Sequence, residues 1–469
     1  MNLYIQVENR ECNAVQKLYF SEGLIGQSWA KDICLTVASD GFITQVETAV
    51  NPRKSEVFGP VLPAMANVHS HAFQRAFAGL AEYKSPGKSD FWSWRNAMYA
   101  FAERMTPAAL ETIASALYIE MLKAGYSTVG EFHYLHNSDK DQALGMSDAI
   151  ILAADRAGIA LTLLPTLYQA SDFGGKTPLA AQLPFVHSAD DFSRLVQILA
   201  PRLTGRHQLG VAFHSLRAVR QDSFAPVINT LENTSLKAPI HIHIAEQTAE
   251  VDACLEHTGK RPIEWLLENQ GVDHRWCLVH ATHLVESEWQ ALAETGAVVG
   301  LCPTTEANLG DGLFPLPEYL KAGGKWAIGS DSHISIDARE ELRLLEYGQR
   351  LARQERTVLA APEEEHTGVH LWQSAARNGA QALGQPVGEI AVGKRADLIV
   401  LDETSPVFAG ASYGQLVDAF VFSGQPNPIS HVMVAGNWVV EGGKHCQEEE
   451  IFGRYSALVS EIAASMEDQ

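Results

Sequence analysis

The sequence predicts an α/β protein built on a (β/α)8 TIM-like barrel, with a small β-sandwich assembled from both ends of the chain. From about Val57 onward, eight short apolar runs alternate with longer amphipathic stretches, the pattern of repeated βα units around a parallel sheet. Each run ends in polar residues, and a closed barrel carries its chemistry at the ends of its strands. The segments that flank the eight runs are β-like at both chain ends. These observations divide the chain into residues 1–60 (first part of the sandwich), 61–385 (barrel) and 386–469 (second part of the sandwich and a C-terminal helix).

The eight runs are VLPAMANVHSH (61–71), YSTVGEFHYLH (126–136), ALTLLPTLYQ (160–169), LGVAFHSLR (209–217), PIHIHIAEQ (239–247), WCLVHATH (276–283), AVVGLCP (297–303) and KWAIGSDSH (325–333). The helix ahead of the second run shows the local grammar: Thr106 suits the cap, Pro107 the first helical position and Gly125 a left-handed end. Leu110, Ile113, Ala114, Leu117 and Met121 give that helix an apolar face. Outside the barrel, LYFSEGLI and ICLTVASDGFITQVET near the start, and GEIAVGKRADLIVLD with ISHVMVAGNWVVEGGKH near the end, read as strands. The stretch from Glu448 to Met466 reads as a surface helix, and the Gly- and Pro-containing loop from Ala170 to Asp190 as a lid.

With 469 residues, 46% of them hydrophobic and 19% charged, the composition is that of a globular protein with a large core. A formal net charge of -21 argues against nucleic-acid and anionic-membrane partners. The six cysteines, at 12, 34, 254, 277, 302 and 446, form no CxxC pair or even spacing, so a reduced, cytoplasmic protein is expected. MNLYIQVENREC has neither a basic nor an apolar signal region, and no apolar run approaches the ~20 residues that span a bilayer. Oligomeric state, a homodimer included, is left open.

The histidines and carboxylates concentrate where the strands end. His69 and His71 close the first run, and residues two apart on a strand face the same way, so both imidazoles can reach one ion. An HxH alone is a weak signal. Here His243 ends the fifth run, with Glu246 three residues beyond, while His280 ends the sixth and Asp331 the eighth, and these ends converge in a barrel. Zinc takes such nitrogen and oxygen donors and, in catalytic sites, keeps a position open for water. His241 shares a strand face with His243 but lies deeper, as a core histidine; His283 and His333, just past their strands, read as supporting or solvated groups.

HxH on strand one, His on strands five and six and Asp on strand eight resemble the motif of the amidohydrolase superfamily. GKRADLIVLD (393–402) is similar to that superfamily's returning sandwich strand. Binuclear members carry a bridging lysine on strand four; here that strand ends His214-Ser215-Leu216-Arg217, so the resemblance implies one metal, zinc, with iron(II) or another divalent ion also suited. It implies His69, His71, His243 and Asp331 as ligands, Asp331 also as acceptor of the water proton, Glu246 as proton shuttle and His280 as the group that orients hydroxide. The HxAE arrangement of the deaminase branch implies hydrolysis of a C=N bond with release of ammonia.

Substrate choice rests on the rest of the mouth. Gln74 and Tyr134 offer hydrogen bonds, and Arg95 and Arg217 each suit a carboxylate, so the paired arginines point to a small dicarboxylate. HSHAFQRAFAGL (69–80), FWSWR (91–95), LYIEMLKAGYSTVGEFHYLH (117–136), AFHSLRAV (212–219), HIAEQ (243–247), LVHATH (278–283) and GSDSHISID (329–337) resemble members acting on a linear dicarboxylate amidine. That resemblance implies that Gln74, Arg95, Tyr134, His214 and Arg217 bind the dicarboxylate portion, with Glu246 and His280 facing the amidine carbon. The competing readings are a deaminase of a heterocycle such as guanine, adenosine or a pterin, and a structural barrel that has lost catalysis.

Overall fold

The structure is a computed structural model that describes residues 15–51, 57–80, 82, 98–99, 101–136, 140–235, 237–361, 364–424 and 426–467. Its strands are β1 (Gln16–Ile25), β2 (Ser28–Val37), β3 (Ile43–Glu47), β4 (Val57–Phe58), β5 (Val61–Pro63), β6 (Met65–Ser70), β7 (Tyr126–His133), β8 (Ala160–Leu167), β9 (Gln208–Leu209), β10 (Val211–Phe213), β11 (Ile240–Ile244), β12 (Trp276–His280), β13 (Val298–Leu301), β14 (Lys325–Ile328), β15 (Leu398–Leu401), β16 (Ile429–Val434), β17 (Asn437–Glu441) and β18 (Lys444–His445).

The eight predicted runs form one parallel sheet in the order β6-β7-β8-β10-β11-β12-β13-β14, with β9 beside β8. β9 and β10 are one strand broken at Gly210, where a Cβ would sit 2.6 Å from the Pro239 carbonyl oxygen. A parallel bridge between Ser70 and Asp331 joins the last strand to the first. His71 N–H donates to Asp331 O at 3.2 Å and Asp331 N–H to His69 O at 3.0 Å. Asn67 stitches the same seam, donating to Ser330 Oγ at 2.6 Å and accepting from Ser330 N at 3.1 Å. The seam therefore falls among the residues that the sequence singled out for chemistry.

The run at 61–71 divides into two strands. Val61–Pro63 pairs antiparallel with β15, while Met65–Ser70 pairs with β7. Pro63 has no N–H to extend the first pairing, and the chain crosses to the barrel at Ala64. The expected sandwich takes the form of one mixed sheet, β18-β17-β16-β15-β5-β1-β2-β3, with β4 added on β1. Both chain ends fill one core there, Leu18, Phe20, Ile33 and Leu35 meeting Leu398, Val400 and Met433.

The helix Pro107–Lys123 begins as its sequence indicates, with Thr106 Oγ1 accepting from Ala109 N at 3.2 Å and Pro107 at the first position. Gly125 follows with a φ of 97°. That helix is buried beyond the expected stripe, Tyr118 and Ile119 included. The C-terminal helix Glu448–Glu467 packs on it, with Ile451 and Ile462 buried.

Where the barrel strands begin, the interior is closed by apolar packing and an ionic network. Ala66, Val68, Cys277, Val279, Val298 and Ala327 fill the barrel beneath Ala382 and Leu383. Arg395 and Asp397 form a bidentate pair at 2.8 Å for each bond, and Arg395 also donates to Gln385 Oε1 at 2.7 Å and Thr128 Oγ1 at 3.1 Å. His241 is a core histidine, its Nε2 bonded to Ala382 O at 2.8 Å. No helix among the described residues is long and apolar enough to cross a membrane.

Candidate metal centre and active site

At the opposite end the strands deliver His69, His71, His243, His280 and Asp331 to one point. His243 Nε2 lies 2.9 Å from His69 Nε2 and 3.3 Å from His71 Nε2. Asp331 Oδ1 lies 3.4 Å from each of the His69 and His71 Nε2 atoms. Ligands bonded to zinc at about 2.0–2.1 Å in a tetrahedron stand about 3.3 Å from one another. The three imidazole nitrogens form one cluster suited to a single ion, and Asp331 meets that cluster through His69 and His71.

Hydrogen bonding supports a cation between them. His71 Nδ1 faces Phe132 O at 3.0 Å and His243 Nδ1 faces His214 O at 3.0 Å. A carbonyl only accepts, so each ring carries its proton on Nδ1 and turns an Nε2 lone pair inward. Two lone pairs 3.3 Å apart with no proton to share repel unless a positive ion lies between them. Burial holds His69, His71 and His243 below the ordinary imidazole range, which keeps the rings neutral as a metal ligand must be.

His280 is the exception among these rings. Burial works to lower it, but the carboxylates of Glu246, Glu306 and Asp331 outweigh that and push it up to about 10. Its Nδ1 bonds Glu306 Oε1 at 3.2 Å, and Glu306 is itself held by Cys302 N at 2.9 Å. Its Nε2 stands 3.9 Å from Glu246 Oε1 and 3.8 Å from Asp331 Oδ2. Those separations are too long for direct hydrogen bonds and admit one oxygen atom, lying off the lines between them, that bonds all three. Burial pushes the Glu246 carboxyl up to about 7, with His280 opposing it.

The backbone aims these groups through left-handed turns, with φ of 51° at Ala245, 68° at His280 and 47° at Asp331. Such conformations cost non-glycine residues about 1–3 kcal/mol and cluster at functional sites. Glu246 is no helix cap: Glu250 accepts from Ala245 N at 3.3 Å and Glu246 N at 3.1 Å, serving the start of the helix Thr248–Thr258 and leaving Glu246 for the pocket. His333 is fully buried and lies 3.0 Å from Ser330 Oγ and 3.2 Å from Ser70 Oγ, so it supports the seam and is not solvated.

The pocket is walled by Gln74, Tyr99, Tyr134, Tyr168, Phe185, His214, Arg217 and Glu246. Gln74 donates to Tyr134 OH at 2.9 Å, and its buried Oε1 has no partner among the described residues. The His214 ring packs on Tyr168 at 4.7 Å and His243 at 5.2 Å. Arg217 also lines an adjoining cavity with Phe173, Arg220 and His257. Arg95 lies outside the described residues. Of the loop from Ala170 to Asp190, Gln182 and Phe185 are buried and Phe185 reaches the pocket.

Several supporting residues escaped the sequence reading. Glu131 accepts from Ser70 Oγ at 2.6 Å, Ala72 N at 2.7 Å and Tyr118 OH at 3.1 Å, and so anchors the turn after His71. Its only sequence signal is a carboxylate inside an apolar strand run. Glu306, Glu250 and Asn67 carry no local signal, because their partners come from other strands.

A (β/α)8 barrel with imidazoles and an aspartate converging at its strand ends defines a metal-dependent hydrolase class. Residues 61–439 match the amidohydrolase family, and the chain belongs to it. It is 45% identical over 451 residues to the formimidoylglutamate deiminase of Pseudomonas aeruginosa, covering 95% of this chain and 99% of that protein. An amidohydrolase from Brucella melitensis has a crystal structure that superposes with a TM-score of 0.88 at 40% identity, over 96% of this chain and 100% of that one. The fold also matches a zinc-bound adenosine deaminase from Xanthomonas campestris, with a TM-score of 0.79 at 20% identity over 96% of this chain and 98% of that one.

Proposed function

We propose that this chain is a cytoplasmic enzyme of histidine degradation that hydrolyses N-formimino-L-glutamate to N-formyl-L-glutamate and ammonia. The observation that carries this is the near-full-length likeness to the Pseudomonas aeruginosa formimidoylglutamate deiminase. One zinc ion per chain fits the donor atoms of His69, His71, His243 and Asp331. Bound there, such an ion makes hydroxide available near neutral pH.

The reaction adds water across the C=N bond of the formimino group and expels its terminal nitrogen. Asp331, through Oδ2, accepts the proton that the attacking water gives up. Glu246 delivers a first proton to the terminal imine nitrogen as oxygen adds to the carbon; the proton held by Asp331 then passes to the same nitrogen, which departs as ammonia, while the new hydroxyl returns its proton to Glu246 and the carbon keeps the oxygen as a formyl group. A carboxyl pushed up to about 7 both holds and releases a proton near neutrality. His280, cationic and anchored on Glu306, stabilises negative charge as it develops on that oxygen. Arg217 and Arg95 take the two carboxylates, with Gln74, Tyr134 and His214 completing the wall around the glutamate portion.

Ammonia release measured side by side on formiminoglutamate, guanine, adenosine and cytosine tests the assignment, with metal analysis of the same preparation. Rapid turnover of formiminoglutamate alone and a metal stoichiometry near one are expected. Preference for a neutral heterocycle would replace the dicarboxylate reading with that of a heterocycle deaminase.

A further inference from the structure

Of the carboxylates around His280, Glu306 and Glu250 are held by backbone N–H groups, the first from Cys302 and the second from Ala245 and Glu246. Asp311 differs from both and takes no part in the proposed reaction. The helix Pro303–Leu309 ends at Gly310 with a φ of 73°, and Asp311 follows, its N–H donating to Glu306 O at 2.9 Å. The residue is only 5% exposed. Its Oδ1 accepts from Gln247 Nε2, while Oδ2, also buried, has no hydrogen-bond partner among the described residues. A buried carboxylate oxygen needs a proton, a donor or a cation.

One donor atom from each of Glu246, His280 and Asp311 lies within 4.8 Å of the other two. Glu246 Oε1 and His280 Nε2 are 3.9 Å apart, with neither side chain more than 12% exposed. None of the three is among the proposed ligands of the first ion. Two carboxylates and an imidazole suit a borderline dication such as zinc, whereas magnesium and calcium favour oxygen donors alone. Ligands of one zinc ion stand about 3.3 Å apart, so these side chains must draw in before they can share an ion. Burial and the neighbouring Glu246 push the Asp311 carboxyl up to about 8, with His280 opposing, so an incoming ion also displaces protons. Both costs make the site weaker than the first.

We propose that Glu246, His280 and Asp311 form a second, weaker site for zinc or a similar dication, and that an ion bound there inhibits the enzyme. A Glu246 carboxylate that coordinates an ion cannot carry a proton to the substrate nitrogen, and His280 Nε2 no longer reaches the reacting oxygen. The inhibition rests on the roles proposed above for Glu246 and His280, whereas the binding does not.

The test adds zinc to protein already loaded with one ion, for the parent, Asp311→Asn and Glu246→Gln, and follows binding by equilibrium dialysis and ammonia release from formiminoglutamate. Asparagine keeps an acceptor for Gln247 and removes the charge. The parent should bind a second zinc ion and lose activity over the same range of free zinc. In Asp311→Asn, both the affinity for the second ion and the inhibition should weaken about tenfold or more, since even indirect contacts to a metal are worth that much. Inhibition is read against each protein's own rate before zinc is added, so a changed basal rate does not enter. Glu246→Gln, followed by dialysis alone, should retain the first ion and lose the second, and it carries the test if Asp311→Asn fails to fold. A parent that binds no second ion in excess zinc, or a second ion held equally by all three proteins at an adventitious surface site, would overturn the proposal. A second ion that both variants lose but that leaves the parent's turnover intact would overturn the inhibition, and with it the shuttle role of Glu246.

Discussion

The two ends of the barrel treat charge in opposite ways. Where the strands begin, Arg395 and Asp397 meet in two bonds of 2.8 Å, and the remaining guanidinium N–H groups are taken by Gln385, Thr128 and the Arg206 carbonyl. Where they finish, His280 stands 3.9 Å from Glu246 and 3.8 Å from Asp331, and lone pairs face one another across 3.3 Å. Both ends are buried and both are polar. What separates them is the choice of partner: the first pairs opposite charges side chain to side chain, while the second turns the lone pairs of neutral rings toward one another, an arrangement suited to a cation. Burial of charge by itself marks neither stability nor catalysis; how the buried groups face one another does.

Substitutions at the two ends should therefore fail in different currencies. The largest effect is expected for Glu246→Gln, which keeps the shape and removes the proton carrier: kcat should fall ~10²–10⁴-fold. Metal content and melting temperature should stay where they were, and a rate within a few-fold of the parent would return Glu246 to a structural role. Next, Arg395→Met leaves the Asp397 carboxylate buried without its partner, at a cost of about 3–5 kcal/mol in stability. Urea unfolding should show that loss while kcat per folded, metal-loaded molecule is preserved; a selective loss of kcat would break the contrast. Arg217→Met should lower kcat/KM on formiminoglutamate by about ten- to a hundredfold with metal content intact. The same is expected of Arg95→Met. Smallest is Lys123→Met, which removes the part-exposed 2.6 Å ion pair to Glu448 between two helices. Its effect on unfolding should be within about 1 kcal/mol.

The active end was the more legible in the sequence, for a physical reason. His69 and His71 sit two apart on one strand, and His243, His280 and Asp331 each stand where an apolar run stops, so every one carries a local mark. The satisfied end carries none: Arg395 and Asp397 sit at the edge of a β-like segment, and Gln385, Thr128 and Arg206 come from remote parts of the chain. Glu306 and Asn67 stayed hidden likewise, since their meaning lies in contacts with His280 and Ser330. The strand count was readable from alternation. The break at Gly210 and the division of 61–71 were not, because each depends on which neighbour the backbone meets. Glu250 was hidden in the same way: it takes the backbone N–H groups of Ala245 and Glu246 ahead of the helix, a role visible only in the fold.

An ion held as proposed by His69, His71, His243 and Asp331 would clasp the seam between Ser70 and Asp331. Asn67 and Ser330, which lace the two edges together, are 263 positions apart, so a ribosome delivers one edge long before the other. Until the second edge emerges, His69 and His71 offer an ion two donors and no aspartate. An ion that prefers the joined edges to the parted ones must hold them together by mass action. Amide protons at His71 and Asp331, which cross the seam, should then exchange with solvent more slowly as metal is added, while those around Arg395 keep their own pace. The metal ion would thus act as the final stitch in the barrel's assembly as well as a reagent.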